Sequence, residues 1–117
     1  MGKTVIIRAA EKRDVEVIAG LLTELNHEEE NDVIAHGDHI AKALFADGAE
    51  VKVSGLVATQ GDTIIGALLY YPGYDTLSAS YGHHLADIIV TKAQRGHGTG
   101  KQLLKALAKL TLESKKE

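Results

Sequence analysis

The sequence predicts an α/β (α+β) domain in which helices flank a mixed, mainly antiparallel sheet. Three observations support this prediction: short apolar runs rich in β-branched residues, longer segments with apolar residues at helical spacing, and a glycine turn that joins two of the apolar runs. In chain order these features predict the succession β-α-α-β-β-β-α. The chain has 117 residues, of which 44% are hydrophobic. We therefore expect residues 1–117 to form one domain with its own core.

The N-terminal half of the chain predicts one strand followed by two helices. Val5–Ala9 is a β-branched run, and acidic residues from Glu11 onward open a helix whose apolar stripe is Val15, Ile18, Leu21, Leu22 and Leu25. Residues 26–32 are acidic and are not expected to pack. A shorter helix is predicted over about 38–46, closed by Asp47 and Gly48, so that helix, loop and helix form a cap.

The C-terminal half predicts three strands and a helix. Residues 51–59 and 63–71 are apolar runs joined by a short glycine turn, which indicates an antiparallel hairpin, and Pro72 is expected to end its second strand. Residues 73–82 are polar and turn-like, and the next strand is predicted at 85–90. The last helix is predicted to bury four leucines, which are Leu103, Leu104, Leu107 and Leu110.

Charge and composition exclude several classes of function. A net charge of −3 and a pI near 6.0 offer no attraction to a nucleic-acid backbone. The absence of cysteine excludes disulfides, thiolate metal sites and an acyl-cysteine intermediate, and the six histidines have no metal-ligand spacing. Because no apolar run approaches roughly 18 residues and the start lacks a signal-peptide pattern, we expect a soluble, cytoplasmic protein.

A glycine-rich turn before the last helix is the segment that says most about function. The turn contains three glycines, Gly96, Gly98 and Gly100, which allow an anion to approach the backbone closely. The helix that follows directs unpaired N–H groups toward that anion. Arg95 and Lys101 add positive charge. A Walker A loop is excluded, because Arg95 stands where that motif needs glycine and Gln102 where it needs Ser or Thr. The turn predicts a phosphate site, and the alternative is a glycine turn without a ligand.

Residues 95–100 read R-G-H-G-T-G, which resembles the R-x-x-G-x-G motif of the GCN5-related N-acetyltransferases, the GNAT family. The opening IRAAEKRDVEVIAGLLTEL and the order of elements resemble that family too, and residues 70–75 ahead of 84–87 are similar to its diamine (spermidine/spermine) branch. The resemblance implies direct transfer of an acetyl group from acetyl-CoA to a primary amine of a small molecule such as a diamine or polyamine. The alternative is a non-catalytic acyl-CoA-binding module or a truncated remnant of the fold.

The resemblance also implies which residues bind acetyl-CoA. The diphosphate would lie on the glycine turn and the pantetheine arm along the preceding strand, with the N–H of Ile89 or Val90 as the donor to the oxyanion. The implied cofactor-binding residues are Ile88, Ile89, Val90, Arg95, Gly96, His97, Gly98, Thr99, Gly100 and Lys101.

The candidates for the amine side are mainly acidic. Asp87 is a carboxylate within an apolar strand, where it needs a partner or a wet cleft. The resemblance implies that Asp87 binds the amine or helps to deprotonate it, and the alternative is that it bonds a neighbouring loop or faces solvent. The resemblance implies that Tyr71 contacts the substrate. It also implies that acidic residues form a rim around the acceptor amine, and the alternative is that they form a solvated loop; these residues are Glu28, Glu29, Glu30, Asp32 and Asp38. His83 and His84 project to opposite faces of a strand, so at most one reaches the cleft, and we expect surface positions for them.

The family fold continues beyond the last predicted helix with a strand, a helix and a hairpin, which usually supply the tyrosine that protonates the leaving thiolate. The sequence does not contain this part. An apolar strand at a sheet edge and a leucine-rich helix with little cover therefore predict a homodimer or a larger assembly. Acetyl transfer is expected to be weak unless a second chain completes the acetyl-CoA slot.

Overall fold

The computed structural model describes residues 4–30, 34, 36–46, 53–77 and 79–115. Within them the elements are β1 (Val5–Ala9), α1 (Val15–Glu28), α2 (Gly37–Phe45), β2 (Ser54–Gln60), β3 (Thr63–Asp75), β4 (Ser80–Val90) and α3 (Thr99–Lys115), with 3-10 turns at Lys12–Asp14 and Lys92–Gln94. The predicted order β-α-α-β-β-β-α is confirmed. None of the helices in this part of the chain is long and apolar enough to cross a membrane.

The described strands form one sheet in the order β1-β2-β3-β4, in which every neighbouring pair is antiparallel. Gly61, with a φ of +64°, closes the predicted hairpin between β2 and β3. β4 pairs with β3 on one side and with no described strand on the other. Its outer edge therefore leaves backbone N–H and C=O groups available to another extended chain.

Helices cover both faces of this sheet. α1 and α2 pack on one face, where the buried residues are Ile18, Leu21, Leu22, Leu44, Val57, Ala67, Leu69 and Ile89. α3 packs on the other face, where they are Leu56, Ala58, Ile65, Leu68, Leu103 and Leu107. Because successive side chains of a strand point to opposite faces, each central strand contributes to both cores.

The start of α1 is tied to β1 by a buried ion pair. The Arg8 guanidinium donates hydrogen bonds to both carboxylate oxygens of Asp14, at 2.7 and 3.0 Å, and the backbone N–H of Glu11 donates another at 2.7 Å. Asp14 is only 3% exposed. These hydrogen bonds, that from Arg8 above all, hold the pKa of the Asp14 carboxyl below its ordinary value.

The hairpin of β3 and β4 is longer than the sequence predicts. Pro72 does not end β3, which continues to Asp75 and pairs Pro72 with His83. The pairing of β2 with β3 stops at Tyr70, so a proline beyond that point costs no hydrogen bond to β2. Most of residues 73–82 therefore belong to strands and not to a polar turn, and Tyr74 and Tyr81 meet across them with ring centroids 4.9 Å apart.

Two further predictions are wrong. Residues 26–28, expected in an acidic segment that does not pack, form the last turn of α1. Leu104, expected to be buried, is 45% exposed, because α3 packs with one face only and Leu103 occupies that face. Asp47 and Gly48, the predicted end of the second helix, lie outside the described residues.

Candidate active site

The glycine-rich turn lies between the end of β4 and the start of α3. Gly96 and Gly98 have φ values of +84° and +83°, a left-handed conformation that glycine adopts without strain. The carbonyl of Gly98 accepts the N–H of Gln102 at 3.0 Å, which closes the first turn of α3. The first N–H groups of a helix have no carbonyl partner within it, so they lie here at the positive end of the helix dipole.

The turn has room for an anion. Among the described residues, nothing lies within 4 Å of a Cβ placed on Gly96 or Gly98. A Cβ on Gly100 would make ordinary contacts of 3.9 Å with Ile88 Cδ1 and Val90 Cγ2. The turn and the end of β4, both predicted to bind acetyl-CoA, are therefore adjacent.

The remaining predicted cofactor residues fall into two groups by exposure. Thr99 and Ile89 are buried, at 2% and 4%, the latter in the core under α1. His97 and Lys101 are exposed beside the turn. The exposed pair is thus accessible to a ligand, whereas the side chains of Thr99 and Ile89 are not.

Arg95 makes two hydrogen bonds that reach away from the turn. Its Nε donates to the carbonyl of Val90 at 2.9 Å, and one Nη donates to the Glu28 carboxylate at 2.8 Å. The pairing with Arg95 lowers the pKa of Glu28 and raises that of Arg95. Glu28 and Arg95, which the sequence assigns to the amine side and the cofactor side, are therefore joined to each other.

Asp87 lies on the α1 face of β4. It pairs in register with Leu69, whose side chain belongs to the core under α1. Burial raises the pKa of Asp87, and the negative charge of Glu29, the residue at the C-terminal end of α1, raises it further. The charge of Glu29 thus acts on Asp87 from the end of α1, which favours a proton or a cation at Asp87.

A β-bulge next to Asp87 changes which side chains share its face. Leu69 pairs with Asp87 but Tyr70 pairs with Leu85, so Ala86 is an extra residue in β4. Without it, Leu85 would share the face of Asp87. With it, Leu85 moves to the α3 side and the preceding residue takes its place.

That preceding residue is His84, which stacks on Tyr71 of β3. Their ring centroids are 5.3 Å apart with an angle of 25° between the planes, and a Cβ on Gly73 would overlap the His84 ring. The other histidine, His83, faces α3, where its Nδ1 lies 3.0 Å from Thr111 Oγ1. The prediction that the two histidines face opposite sides is confirmed. The Tyr71–His84 pair was not predicted from the sequence. Gly73, which leaves room for the His84 ring, is the residue that could have indicated it.

The acids at the end of α1 are exposed to solvent and stand at the negative end of its dipole. Glu30 ends the helix with a φ of +60°, and its N–H donates to the His27 carbonyl at 3.1 Å. Acidic side chains are unfavourable at this end of a helix. Of the other predicted rim residues, Asp32 and the side chain of Asp38 lie outside the part of the chain that the structure describes.

The sequence profile of the acetyltransferase (GNAT) family matches residues 18–116, which include both the site at the end of α1 and the glycine turn. The chain belongs to the GNAT acetyltransferase family. Enzymes of this family use acetyl-CoA as the acetyl donor, so this GNAT protein is an acetyl-CoA-dependent acetyltransferase. A comparison with curated proteins finds no match.

Solved structures with low sequence identity share the fold of this GNAT protein. A ribosomal-protein-alanine N-acetyltransferase from Brucella melitensis biovar Abortus 2308 is 21% identical with a TM-score of 0.75, over 94% of this chain and 73% of that one. An aminoglycoside N-acetyltransferase in complex with CoA is 23% identical with a TM-score of 0.74, over 97% and 73%. An integron cassette protein of V. cholerae is 27% identical with a TM-score of 0.70, over 96% and 70%.

Proposed function

We propose that this GNAT protein acetylates a primary amine of a small cationic molecule, a diamine or polyamine, by direct attack on acetyl-CoA. The observation that carries the proposal is the half-buried carboxylate of Asp87 in the strand leading into the glycine turn, on which the negative charge of Glu29 acts from the end of α1. The negative charges of the two residues attract a positively charged substrate. The raised pKa of Asp87 suits a group that must accept a proton from that substrate.

The proposed site of the diphosphate is the glycine turn. The left-handed glycines and the open space around them allow close approach, and the N–H groups that open α3 supply the donors. His97 and Lys101, both exposed, would add contacts to phosphate oxygens. The CoA bound by the related aminoglycoside N-acetyltransferase supports this choice of ligand.

The pantetheine arm is proposed to lie along the outer edge of β4. Thr91 donates to the Ile65 carbonyl of β3 at 2.9 Å, and in an antiparallel ladder the inward-pointing N–H groups recur at every second residue. By this alternation Ile89 donates toward β3, whereas the N–H groups of Ile88 and Val90 point to the open edge. The ladder therefore supports Val90, and not Ile89, as the donor to the oxyanion.

Asp87 is proposed as the base. The amine arrives protonated, so Asp87 accepts one proton before the nitrogen bonds to the thioester carbonyl carbon. The nitrogen then loses a second proton to solvent while the C–S bond breaks and CoA leaves as its thiolate. Glu29 would attract the second ammonium group of a diamine. Tyr71, on the same face, would contact its methylene chain. Glu28 is not proposed as a substrate contact, because Arg95 already occupies its carboxylate.

Two measurements on the purified chain test the proposed function. Calorimetry with acetyl-CoA is expected to detect binding, and an assay of free CoA thiol is expected to detect turnover with putrescine and spermidine. Little turnover is expected with an amino alcohol of similar length, which has a hydroxyl in place of the second ammonium group. Binding without turnover on any amine would favour the non-catalytic acyl-CoA-binding module. Absence of binding would contradict both functions.

We also propose that residues 1–117 act as one domain and assemble as a homodimer. The support is the outer edge of β4 before Ile88, which pairs with none of the described strands, together with exposed apolar side chains on α3 and the β3–β4 hairpin, which include Leu104, Leu112, Leu77 and Tyr81. Sedimentation velocity is expected to detect a dimer, and a monodisperse monomer would contradict this proposal. The cytoplasmic location stays a prediction from the sequence.

A further inference from the structure

An ion pair joins two parts of the chain that the proposed reaction assigns to different substrates. Glu28 and Arg95 are 67 positions apart, and the nitrogen and oxygen of their contact are 2.8 Å apart. Glu28 belongs to the last turn of α1, next to Glu29, whose charge raises the pKa of Asp87. Arg95 is the first residue of the glycine motif and also bonds the Val90 carbonyl. A continuous chain of contacts thus runs from α1 to the end of β4.

Stability alone does not explain an acid at this position. Exposed ion pairs contribute about 0–1 kcal/mol, and a carboxylate in the last turn of a helix opposes the helix dipole. The two side chains are 27% and 42% exposed, so solvent screens their attraction. The pair instead fixes the orientation of the Arg95 side chain, because its guanidinium is hydrogen-bonded at both Nε and Nη.

We infer that Glu28 is a positioning residue for the acetyl-CoA side of the reaction, acting through Arg95 and not through contact with the amine. The inference rests on the proposed function. Glu28 holds the guanidinium, and the guanidinium holds the carbonyl of Val90, the residue whose own N–H is the proposed oxyanion donor and after which the chain leads into the turn. A turn that is ordered before binding loses less conformational entropy when the diphosphate arrives.

The pair also changes the role of Arg95. Glu28 compensates much of its positive charge, and Glu24 of the same helix adds a further attraction. Arg95 therefore serves the diphosphate chiefly by shaping the turn, while the backbone N–H groups and Lys101 supply the attraction.

The adjacent acids Glu28 and Glu29 provide a matched pair of variants. Glu28→Ala is expected to raise the Kd and KM of acetyl-CoA about fivefold, the loss for one charge-assisted hydrogen bond of about 1 kcal/mol, and to change the KM of the diamine less than twofold. Glu29→Ala is expected instead to raise the KM of the diamine and to change the Kd and KM of acetyl-CoA less than twofold. A Glu28→Ala variant that raises the KM of the diamine and leaves the Kd of acetyl-CoA unchanged would overturn the inference.

A double-variant cycle tests whether Glu28 acts through Arg95. The Kd of acetyl-CoA for Glu28→Ala/Arg95→Ala is expected to equal that for Arg95→Ala alone, whereas additive losses would contradict coupling. Glu28→Gln, which keeps the side-chain length, replaces Glu28→Ala if the latter does not fold, with a smaller loss in the same direction. The Kd by calorimetry needs no turnover, so the result is separable from a failure of the proposed amine acetylation.

Discussion

Asp87 is the residue on which the proposed chemistry depends most. Burial withdraws water from its carboxylate and Glu29 adds a like charge, so its pKa is raised. A carboxylate with a raised pKa is a stronger base than one in free solution. The same environment attracts a cation, which links binding of the amine to removal of its proton.

Replacing Asp87 is expected to slow the reaction without loss of acetyl-CoA binding. Asp87→Asn removes the proton acceptor, and loss of a general base typically costs roughly 10²- to 10⁴-fold in kcat. The measurement is steady-state kinetics beside calorimetry with acetyl-CoA. Unchanged kcat in this variant would rule out Asp87 as the base.

The pH profile gives a second readout at the same residue. The wild-type kcat/KM is expected to fall as the pH falls through the raised pKa of Asp87, because the protonated form accepts no proton. Glu29→Gln removes the like charge, which lowers that pKa and moves the acidic limb to lower pH. Glu30→Gln, in the exposed residue that follows, is the control and is expected to leave the limb in place.

Single-residue reasoning from the sequence identified Asp87 and the glycines but not their partners. Asp87 stands out because a carboxylate in an apolar strand is unusual. The Glu28–Arg95 pair was missed because it depends on where α1 ends, and the acidic composition of residues 26–32 suggested an unpacked loop. The Tyr71–His84 stack was missed because Pro72 indicated the end of a strand.

The turn and α3 together form the element that is proposed to bind the diphosphate. The two glycines in and after the turn have different structural requirements. Gly98 needs its left-handed backbone, whereas Gly100 is helical and has ordinary space for a methyl group. This difference separates the requirements of the fold from those of the ligand.

Two alanine substitutions use this difference. Gly98→Ala is expected to lower the free energy of unfolding by about 1–2 kcal/mol, because the left-handed conformation strains an L-residue. Gly100→Ala is expected to keep or raise stability and to leave acetyl-CoA binding nearly unchanged, because its methyl group would contact Ile88 and Val90 of β4 and not the open side of the turn. Urea unfolding and calorimetry measure the two effects.

Gly20→Ala provides the control in α1. Its Cβ would meet nothing described within 4 Å, so a gain in stability with unchanged acetyl-CoA affinity is expected. A large loss of acetyl-CoA affinity in Gly100→Ala would contradict the placement of its methyl group against β4.

At the level of elements, the order and type of the helices and strands followed from the sequence, and their lengths did not. β1 was predicted at its observed bounds because a β-branched run between polar residues leaves little choice. The predicted β3 ended too early, at Pro72. The pairing of β3 with β2 stops at Tyr70, which makes a proline acceptable beyond that point, and this follows from the sheet and not from the local sequence. Leu104 was misjudged because a leucine-rich helix does not reveal how wide its covered face is.

Across the whole molecule, the sheet brings the two proposed binding regions to one strand. β4 carries Asp87 on its α1 face and leads at its end into the glycine turn, while its outer edge stays unpaired within the described residues. The R-x-x-G-x-G resemblance identified the family, which the match over residues 18–116 confirms. The amine itself did not follow from the sequence, because its proposed contacts come from α1, β3 and β4 and meet only in the folded chain.

The most direct test of the central claim is a titration of the ¹⁵N-labelled protein with acetyl-CoA, followed by backbone amide NMR. The amides of residues 96–101 are expected to shift strongly with acetyl-CoA and little with S-acetylpantetheine, which lacks the diphosphate, while the amide of Tyr81, at the opposite end of β4, stays in place. If saturating acetyl-CoA leaves the amides of residues 96–101 unmoved, the diphosphate does not bind at the start of α3.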